Sequence, residues 1–374
     1  MRGQRGAVVA AAAVLTLGAA PTVASAHGDG DGGDEDITTL ATGLDGPRQL
    51  NDYLDDLLVV AESDSGEVSS VDPETGDVET LLTISGTPQG VAYDDGRLFV
   101  AVGEAAPPED APGVEPPPED AIGSALLVAD TDGEILETID LLAYELENNP
   151  DEQPQFDAEG VPFDALSNPF SVEAGSDRIL VADAGANDVL AIDRETGEIT
   201  TFFVPPRVSP DEVPECADAQ ANPGIVGCDP VPTGVEEGPD GHIYVSTLGA
   251  EAPGAARVYV LSEDGDVVDV IEDLTSLTGV AVDDDGTVYA SDLLEGAPTE
   301  DPPPADFDPA AVGEVVRVDT DGTRSYAQVT MPTGLEIEDG RLYTSAWSVA
   351  AFVGLEAAGE VVRVKEDAFA ERAE

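Results

Sequence analysis

A short motif, Pro-x-Gly-Val, recurs along the chain and constrains its fold more than any other feature. Six copies can be recognised, and they begin at Pro47, Pro88, Pro169, Pro232, Leu277 and Pro332. The first, third and fifth are degenerate, and the last has Leu in the Val position. Most copies are followed by a turn rich in Asp and Gly and then by a second apolar run. This alternation is typical of short antiparallel strands joined by tight turns.

The segment 168–204 shows one complete repeat. We predict four strands in it, at Ser171–Glu173, Arg178–Asp183, Asp188–Asp193 and Ile199–Val204. Four strands in about 40 residues correspond to one blade of a β-propeller. A single blade cannot bury both of its faces, whereas blades arranged in a ring can. The sequence therefore predicts an all-β protein, a six-bladed β-propeller of four-stranded blades.

The boundaries of the ring follow from its two ends. The last blade has a first strand at 334–337, a second at 342–346 and a third at 359–364, but no fourth strand follows. The β-rich segment 37–41 stands directly before the first blade, where a fourth strand would lie. We predict that this N-terminal strand completes the last blade. A single propeller domain then spans 37–366, and 367–374 form a C-terminal tail with helix-favouring residues.

Three segments carry a resemblance to a known family: VADAGANDVLAID (181–193), PTGV (232–235) and LTGVAVDDDGTVYASDL (277–293). They resemble secreted NHL-type propellers, most closely those of the ScyD/ScyE family. The resemblance implies a secreted six-bladed propeller. It implies no particular activity, because propellers host many unrelated functions.

The first 36 residues are expected to lie outside the fold. A basic start, an apolar run over 7–20 and small residues at 24–26 predict a signal peptide at 1–26. The apolar run is short for a membrane anchor, which needs about 20 residues. Residues 27–36 are predicted to form a flexible acidic leader. The mature protein is therefore expected to be secreted.

The charge of the chain restricts its partners. Asp and Glu number 79 against 14 Lys and Arg, which gives a net charge of −65. Such a charge disfavours nucleic acid and anionic membranes as partners. It also resembles the composition of secreted proteins from halophiles, so stability is expected to depend on salt. No other segment is long and apolar enough to span a bilayer, and a monomer is expected.

Five long inserts are expected on one face of the ring. We call the end at which each first strand starts the top. All the tight Asp-Gly and Thr-Gly turns then lie at the bottom, and the inserts lie at the top, at 103–122, 146–167, 205–231, 294–312 and 347–358. Loops on a rigid scaffold often carry function. This top face is therefore the predicted binding face, for a small molecule, a glycan or a protein.

The third insert contains both cysteines, Cys216 and Cys228. Two cysteines in one loop of a secreted chain are expected to pair. Metal binding is less favoured because no His or third Cys is nearby. Closing this loop is worth about 3 kcal/mol in the loop-entropy treatment.

Candidate binding residues follow from the repeat. The second motif position of each blade is expected at the mouth of the channel, and it is occupied by Arg48, Gln89, Phe170, Thr233, Thr278 and Thr333. The second strands of the first, third and fifth blades end in Glu62, Asp183 and Asp292. The first strands also offer oxygen ligands at Asn51, Glu173, Glu236 and Glu336. A hard divalent cation such as Ca²⁺ takes six to eight such ligands, so we predict one near Glu62, Asp183 and Asp292.

Two functions are compatible with these features. The first is a non-catalytic secreted binding or scaffold protein that uses the top face. The alternative is a metal-dependent hydrolase or lyase, similar to sugar lactonases of this fold, with its site at the top of the channel. The sequence lacks a clear match to the Glu, Asn and Asp constellation of those lactonases. It also offers no His general base at the top face, although carboxylates can serve that role.

Overall fold

The computed structural model describes residues 36–105, 121–163, 165–217, 219, 222, 224–298, 303–304 and 306–372. Within them the chain forms six four-stranded antiparallel sheets. Their strands in chain order begin with β1 (Ile37–Leu44), β2 (Pro47–Tyr53), β3 (Leu57–Glu62), β4 (Glu67–Val71), β5 (Val78–Thr83), β6 (Pro88–Asp94), β7 (Arg97–Val102), β8 (Ala125–Asp130), β9 (Ile135–Asp140), β10 (Pro169–Ala174), β11 (Arg178–Asp183) and β12 (Asp188–Asp193).

The second half of the chain repeats the pattern. It contains β13 (Ile199–Phe203), β14 (Pro232–Glu237), β15 (Ile243–Thr247), β16 (Ala256–Leu261), β17 (Val267–Leu274), β18 (Leu277–Val282), β19 (Val288–Asp292), β20 (Glu314–Val318), β21 (Arg324–Ala327), β22 (Leu335–Glu338), β23 (Arg341–Ala346) and β24 (Gly359–Val364). Blade 1 is β2 to β5, and blades 2 to 5 follow in groups of four.

Helices are short in the described part of the chain. One α-helix, α1, spans Leu141–Asn148, and Asp140 caps it by accepting a hydrogen bond from Ala143 N at 2.9 Å. Single-turn 3₁₀ helices lie at Leu54–Asp56, Pro214–Ala217, Gly249–Glu251, Pro309–Ala311, Ala350–Val353 and Glu366–Ala368. Each described helix is too short to cross a bilayer.

The ring closes as the sequence predicts. Blade 6 has the strand order β1-β24-β23-β22, so the N-terminal strand is its outer strand. Ile37 lies opposite Val364 and Leu44 lies opposite Gly359. The strand is three residues longer than expected, because Gly43 adopts a φ of 85° at a register shift and lets pairing continue to Leu44. The predicted six-bladed propeller is confirmed.

The blades stack through apolar side chains. Each sheet presents alternate residues to its two neighbours, and the core therefore consists of separate layers between blades. Between blades 1 and 2, for example, Val59, Ala61, Val91 and Val100 pack together with 1% exposure or less. The six inner strands surround a central channel.

Glycine in the motif is required by the contact between inner strands. A Cβ atom at Gly279 would lie 2.2 Å from Thr333 O, in the next blade. One at Gly334 would lie 2.7 Å from Arg48 O across the closing interface. The backbones of neighbouring inner strands approach so closely that a side chain is excluded there. The glycine of the motif is thus explained by packing around the axis.

Bottom turns are held by aspartate side chains. Asp72 Oδ1 accepts hydrogen bonds from Glu74 N at 2.8 Å and Thr75 N at 3.2 Å. Asp193 accepts from Thr196 N at 2.7 Å in the equivalent turn of blade 3. These bonds lower the pKa of both carboxyl groups. The Asp-Gly and Thr-Gly signals of the sequence are therefore explained by turn formation.

The C-terminal segment 366–372 continues along blade 5. Ala370 and Tyr326 exchange two backbone hydrogen bonds of 3.0 Å, so the segment covers part of the outer edge of β21. The Phe369 ring packs edge-on against Tyr289 with the centroids 5.7 Å apart. Sequence composition favoured a helical tail here, but aromatic packing and edge pairing hold the segment extended after a single 3₁₀ turn.

Truncation of one side chain tests the ring closure. Leu44 in β1 is 1% exposed, and its packing joins the outer strand of blade 6 to blade 1. We expect Leu44→Ala to lower the free energy of unfolding by about 2–5 kcal/mol, as for other buried leucines. Urea unfolding measures the change. Thr42→Ala in the same strand removes an exposed side chain and serves as the control; equal losses in both variants would contradict this role of β1.

Candidate functional site

The top of the channel is bordered by threonine side chains that join each blade to the next. The three predicted mouth threonines are at most 3% exposed. Their hydroxyl groups donate to the first motif carbonyl of the following blade, in the pairs Thr233–Leu277 (2.7 Å), Thr278–Pro332 (3.1 Å) and Thr333–Pro47 (3.2 Å). Ser63 makes the same contact from blade 1 to Pro88 O at 2.7 Å. These hydroxyl groups therefore stabilise the contacts between neighbouring blades.

Gln49 crosses the channel beneath this border. Its Nε2 donates to Thr278 O at 2.6 Å and to Thr233 O at 3.1 Å, on the other side of the ring. The side chain is 7% exposed. Sequence reasoning treated Gln49 only as a departure from the motif glycine. That departure was the available signal, because a long side chain at an axial position has to extend into the channel.

The remaining predicted mouth residues are also engaged. Arg48 donates to Ser348 O and lies 3.9 Å from Asp64 Oδ1. Gln89 is partly exposed and accepts a hydrogen bond from Ser63 at 3.2 Å. Phe170 is 8% exposed and belongs to an apolar cluster between blades 3 and 4. The six positions surround one end of the channel, and Gln89 is the most accessible of them in the described structure. Their contact with a ligand stays a prediction.

The predicted metal ligands Glu62, Asp183 and Asp292 each hold the top loops of their own blade. Glu62 accepts from Asp45 N at 2.8 Å and Ser69 Oγ at 2.5 Å. Asp292 accepts from the backbone amides of residues 294 and 295 at 3.1 Å each. Asp183 accepts four hydrogen bonds, three of them from backbone amides. Burial raises the pKa of all three carboxyl groups, that of Asp292 to about 7.

Only one of the three lies in a converging set of carboxylates. Among the described residues, the oxygen atoms of Asp292, Glu295 and Glu314 lie within 4.8 Å of one another, and a second, more exposed set is Asp56, Glu338 and Asp339. Arg372 already supplies a positive charge to the first set: its Nη2 lies 2.6 Å from Glu314 and 3.2 Å from Glu295. Neither set contains Glu62 or Asp183, so the predicted ligands do not form one site together.

The lower half of the channel is acidic. Asn51, Glu173, Glu236 and Glu336 occupy the same register position on four inner strands. Asn51 Nδ2 donates to Glu336 Oε2 at 3.2 Å. Burial and the neighbouring carboxylates raise the pKa of Glu173 and Glu336 to about 8 and that of Glu236 well above its usual value. The channel therefore holds acids that can exchange protons near neutral pH.

Two of the surface cavities in the described structure lie between blades. One, of about 270 Å³, lies at the top between blade 6 and blade 1 and is lined by Trp347, Leu355 and Asp64. The other, of about 310 Å³, lies at the bottom between blades 5 and 6 and is lined by Tyr289, Arg363 and other residues. The larger cavity is thus on the face without inserts. Trp347 is the single tryptophan of the chain.

The described parts of the later inserts pack into small clusters on the top face. Cys216 and Cys228 form the disulfide expected in the third insert, and Val208, Val213 and Ala255 pack around it. Leu293, Val312 and Met331 form another apolar cluster, with Trp347 packed against it. Parts of the inserts, at 106–120, 164, 218, 220, 221, 223, 299–302 and 305, lie outside the described residues, as does the predicted signal peptide. In the described parts, the top loops have small cores of their own.

Comparisons with known proteins support the fold. No family model and no curated protein sequence matches the chain. Among solved structures, a gluconolactonase from Xanthomonas campestris is similar over 88% of this chain and 89% of its own, with a TM-score of 0.53 and 13% identity. A streptogramin B lyase has a TM-score of 0.48 and 13% identity, covering 87% of this chain and 96% of its own. A structure of a nidogen–laminin complex gives 0.47 and 12%, covering 78% and 85%.

The six sheets and the similarity to the gluconolactonase structure define the class of protein, a six-bladed β-propeller. At such low identity the similarity shows the fold alone. It leaves the activity of this chain open, because propellers host many unrelated functions.

The contribution of Gln49 to the ring can be measured. Gln49→Ala leaves two buried carbonyl groups without this donor, and we expect a loss of about 1–3 kcal/mol in the free energy of unfolding. Urea unfolding gives the value. Gln89→Ala is the matched control, since Gln89 is partly exposed and makes one side-chain contact. If both substitutions had the same small effect, the bridge across the channel would be unimportant.

The channel acids predict a pH dependence. An acid whose pKa is higher in the folded state binds more protons when folded, so stability decreases as pH rises between the two pKa values. For Glu336 this window runs from its reference value of 4.5 to about 8. We expect Glu336→Gln to reduce the loss of stability across this window. Urea midpoints at fixed salt test it, with Glu134→Gln on an exposed bottom turn as the control; parallel curves for wild type and Glu336→Gln would refute the expectation.

Proposed function

We propose that this protein is a secreted, non-catalytic binding or scaffold protein that uses its top face. The main support for the proposal is that polar groups at the channel mouth already make hydrogen bonds within the ring. Its threonine hydroxyl groups, Arg48 and Gln49 are committed to contacts within the ring. A hydrolase with its site at this mouth would need such groups to position a substrate. The surface outside the mouth therefore offers the better binding region.

The packing of the described insert residues supports the proposed binding function of the top face. A loop that is already held by a disulfide or an apolar cluster loses little conformational entropy on binding. The top cavity is bordered by the insert 347–358 and exposes part of Trp347, which provides an aromatic surface next to Asp45 and Asp64. Aromatic residues beside acidic groups suit a glycan, a small molecule or a protein side chain.

The proposal includes an extracellular location and a family for this protein. The predicted signal peptide at 1–26 and the disulfide between Cys216 and Cys228 both support an extracellular location. We also propose membership of the ScyD/ScyE family, on the segments that resemble it. Action as a monomer and adaptation to high salt remain expectations from the charge and from the single-chain ring.

The channel glutamates favour a second candidate, a metal-dependent hydrolase or lyase. Glu173, Glu236 and Glu336 with Asn51 offer oxygen ligands or proton-transfer groups with raised pKa values inside the channel. A hard divalent cation bound there would polarise a carbonyl group. This site would lie below Gln49, in the lower half of the channel, and not at the predicted mouth. Access from the bottom would then be required.

One experiment separates the two candidates. The emission of Trp347, the single tryptophan, is recorded while a panel of oligosaccharides and sugar lactones is added, and NMR follows the lactones with and without EDTA. A top-face binding protein is expected to change its emission with some compounds and to leave all lactones intact. Lactone turnover that EDTA abolishes would instead establish the enzyme.

Two variants locate any binding that is found. Ala351→Arg fills the top cavity, and Arg363→Ala alters the bottom cavity. We expect the first to abolish the change in emission and the second to preserve it. The reverse result would place the binding site on the bottom face and contradict the proposal.

A further inference from the structure

Opposed carboxylates recur at the top of alternate blades. The second strand of a blade ends opposite the start of its third strand, and in blades 1, 3 and 5 both residues are acidic. The pairs are Glu62–Glu67, Asp183–Asp188 and Asp292–Glu314. Residues directly opposite in an antiparallel pair have neighbouring side chains on one face, and like charges there are destabilising. Each blade therefore needs a means of accommodating two negative charges.

In blades 1 and 5, the structure shows how the two opposed carboxylates are accommodated. In blade 1, Glu67 remains partly exposed and water can screen the pair. In blade 5, Arg372 lies 2.6 Å from Glu314 and neutralises one charge. The arginine comes from the C-terminal segment, which the pairing of Ala370 with Tyr326 brings to this position.

In the described structure, blade 3 has neither a solvent-exposed carboxylate nor a neighbouring arginine at this position. Asp183 and Asp188 are both 0% exposed. No ion pair between described residues includes either of them. Asp183 is satisfied by its four hydrogen bonds, whereas neither oxygen of Asp188 has a hydrogen-bond partner among the described residues. A fully buried, unpartnered carboxylate is exceptional in a folded protein.

The helix α1 adds further oxygens next to blade 3, because Leu141 of the helix packs with Leu190 and Ile192 of that blade. Glu145 is 4% exposed, and its Oε2 has no partner in the described structure. Asn149, which caps the helix, has an unpartnered Oδ1, while its Nδ2 donates to Gln153 O at 3.0 Å. Four of the six unpartnered buried side-chain atoms among the described residues thus belong to three residues of this corner. All four are oxygens, and they act only as acceptors when the two carboxyl groups are ionised.

We propose that Asp188, Glu145 and Asn149 bind a hard divalent cation, Ca²⁺, between blade 3 and α1. Oxygen donors without His or Cys suit Ca²⁺ and not the softer transition metals. No three carboxylates of this corner converge within 4.8 Å, in contrast to the blade 5 set. The site therefore takes two carboxylates and one amide oxygen, and water completes the shell, as in many Ca²⁺ sites.

The position of the site gives it a structural role. Glu145 and Asn149 stand at the start of the insert 146–167, and Asp188 begins the third strand of blade 3. Asn187, its neighbour, donates to Asp151 Oδ2 at 3.2 Å, and Asn187 Oδ1 accepts from Val231 N at 3.1 Å in the next insert. A cation here joins the insert 146–167 to the third strand of blade 3, while Asn187 links this region to the next insert. Arg372 has the corresponding role in blade 5.

The test uses the complete mature protein. It is dialysed against EDTA, and Ca²⁺ is returned at one fixed NaCl concentration high enough to screen the surface charge. We expect one Ca²⁺ per chain to remain after gel filtration, measured by elemental analysis. We also expect the thermal midpoint to rise by about 5 °C at saturating Ca²⁺.

Two substitutions make the test specific. Asp188→Asn is expected to abolish both the bound Ca²⁺ and the thermal shift, and Glu314→Gln, at the equivalent position of blade 5, is expected to retain both. If Asp188→Asn does not fold, Glu145→Gln replaces it and should weaken Ca²⁺ binding at least about tenfold. A wild type without bound Ca²⁺, or an Asp188→Asn variant that binds as the wild type does, would overturn the proposal. If the wild type binds no Ca²⁺ and Asp188→Asn is more stable than the wild type, Asp188 is protonated in the folded protein and binds no cation.

Discussion

The close approach of the six inner strands around the channel determines much of this structure. Each blade is a four-stranded sheet that buries its faces only against its neighbours, so the ring is stable only when it closes. Closure brings backbones so near that Gly279 and Gly334 leave no space for a side chain. The same proximity allows Thr333 to donate directly to Pro47 O in the next blade. Packing and polar contacts at the axis are thus two results of one constraint.

Charge is the second constraint, because a chain with a net charge of −65 must bury some carboxylates as its strands pair. The structure accommodates them in several ways. Backbone amides surround Asp183, Arg372 pairs with Glu314, and solvent reaches Glu67. In the channel, Glu336 is accommodated through a raised pKa, since burial and its neighbours favour the protonated form. The free energy of each solution depends on which groups the fold brings nearby.

On the top face, these features are the basis of the binding function that we propose. The described residues of the channel mouth make contacts within the ring, and the described parts of the later inserts are held by a disulfide, by apolar clusters and, in our proposal, by a cation beside Asp188. Loops that are held in this way lose little conformational entropy when a ligand binds to them. The channel glutamates, below Gln49, remain the basis for a catalytic alternative.

The number of blades, most strand positions and the closure by the N-terminal strand could be predicted from the sequence, because strand and turn signals are local and the motif repeats. In blade 3 the second and third strands span the predicted residues, 178–183 and 188–193. The sequence also placed candidate acids at the strand ends. The contacts of those acids and of the mouth residues, by contrast, depend on the folded ring. Gln49 reaches carbonyl groups about 180 and 230 positions away in sequence, and Arg372 reaches blade 5 only because the C-terminal segment pairs with Tyr326. Such contacts depend on how distant segments meet in the closed ring, and no local pattern encodes that.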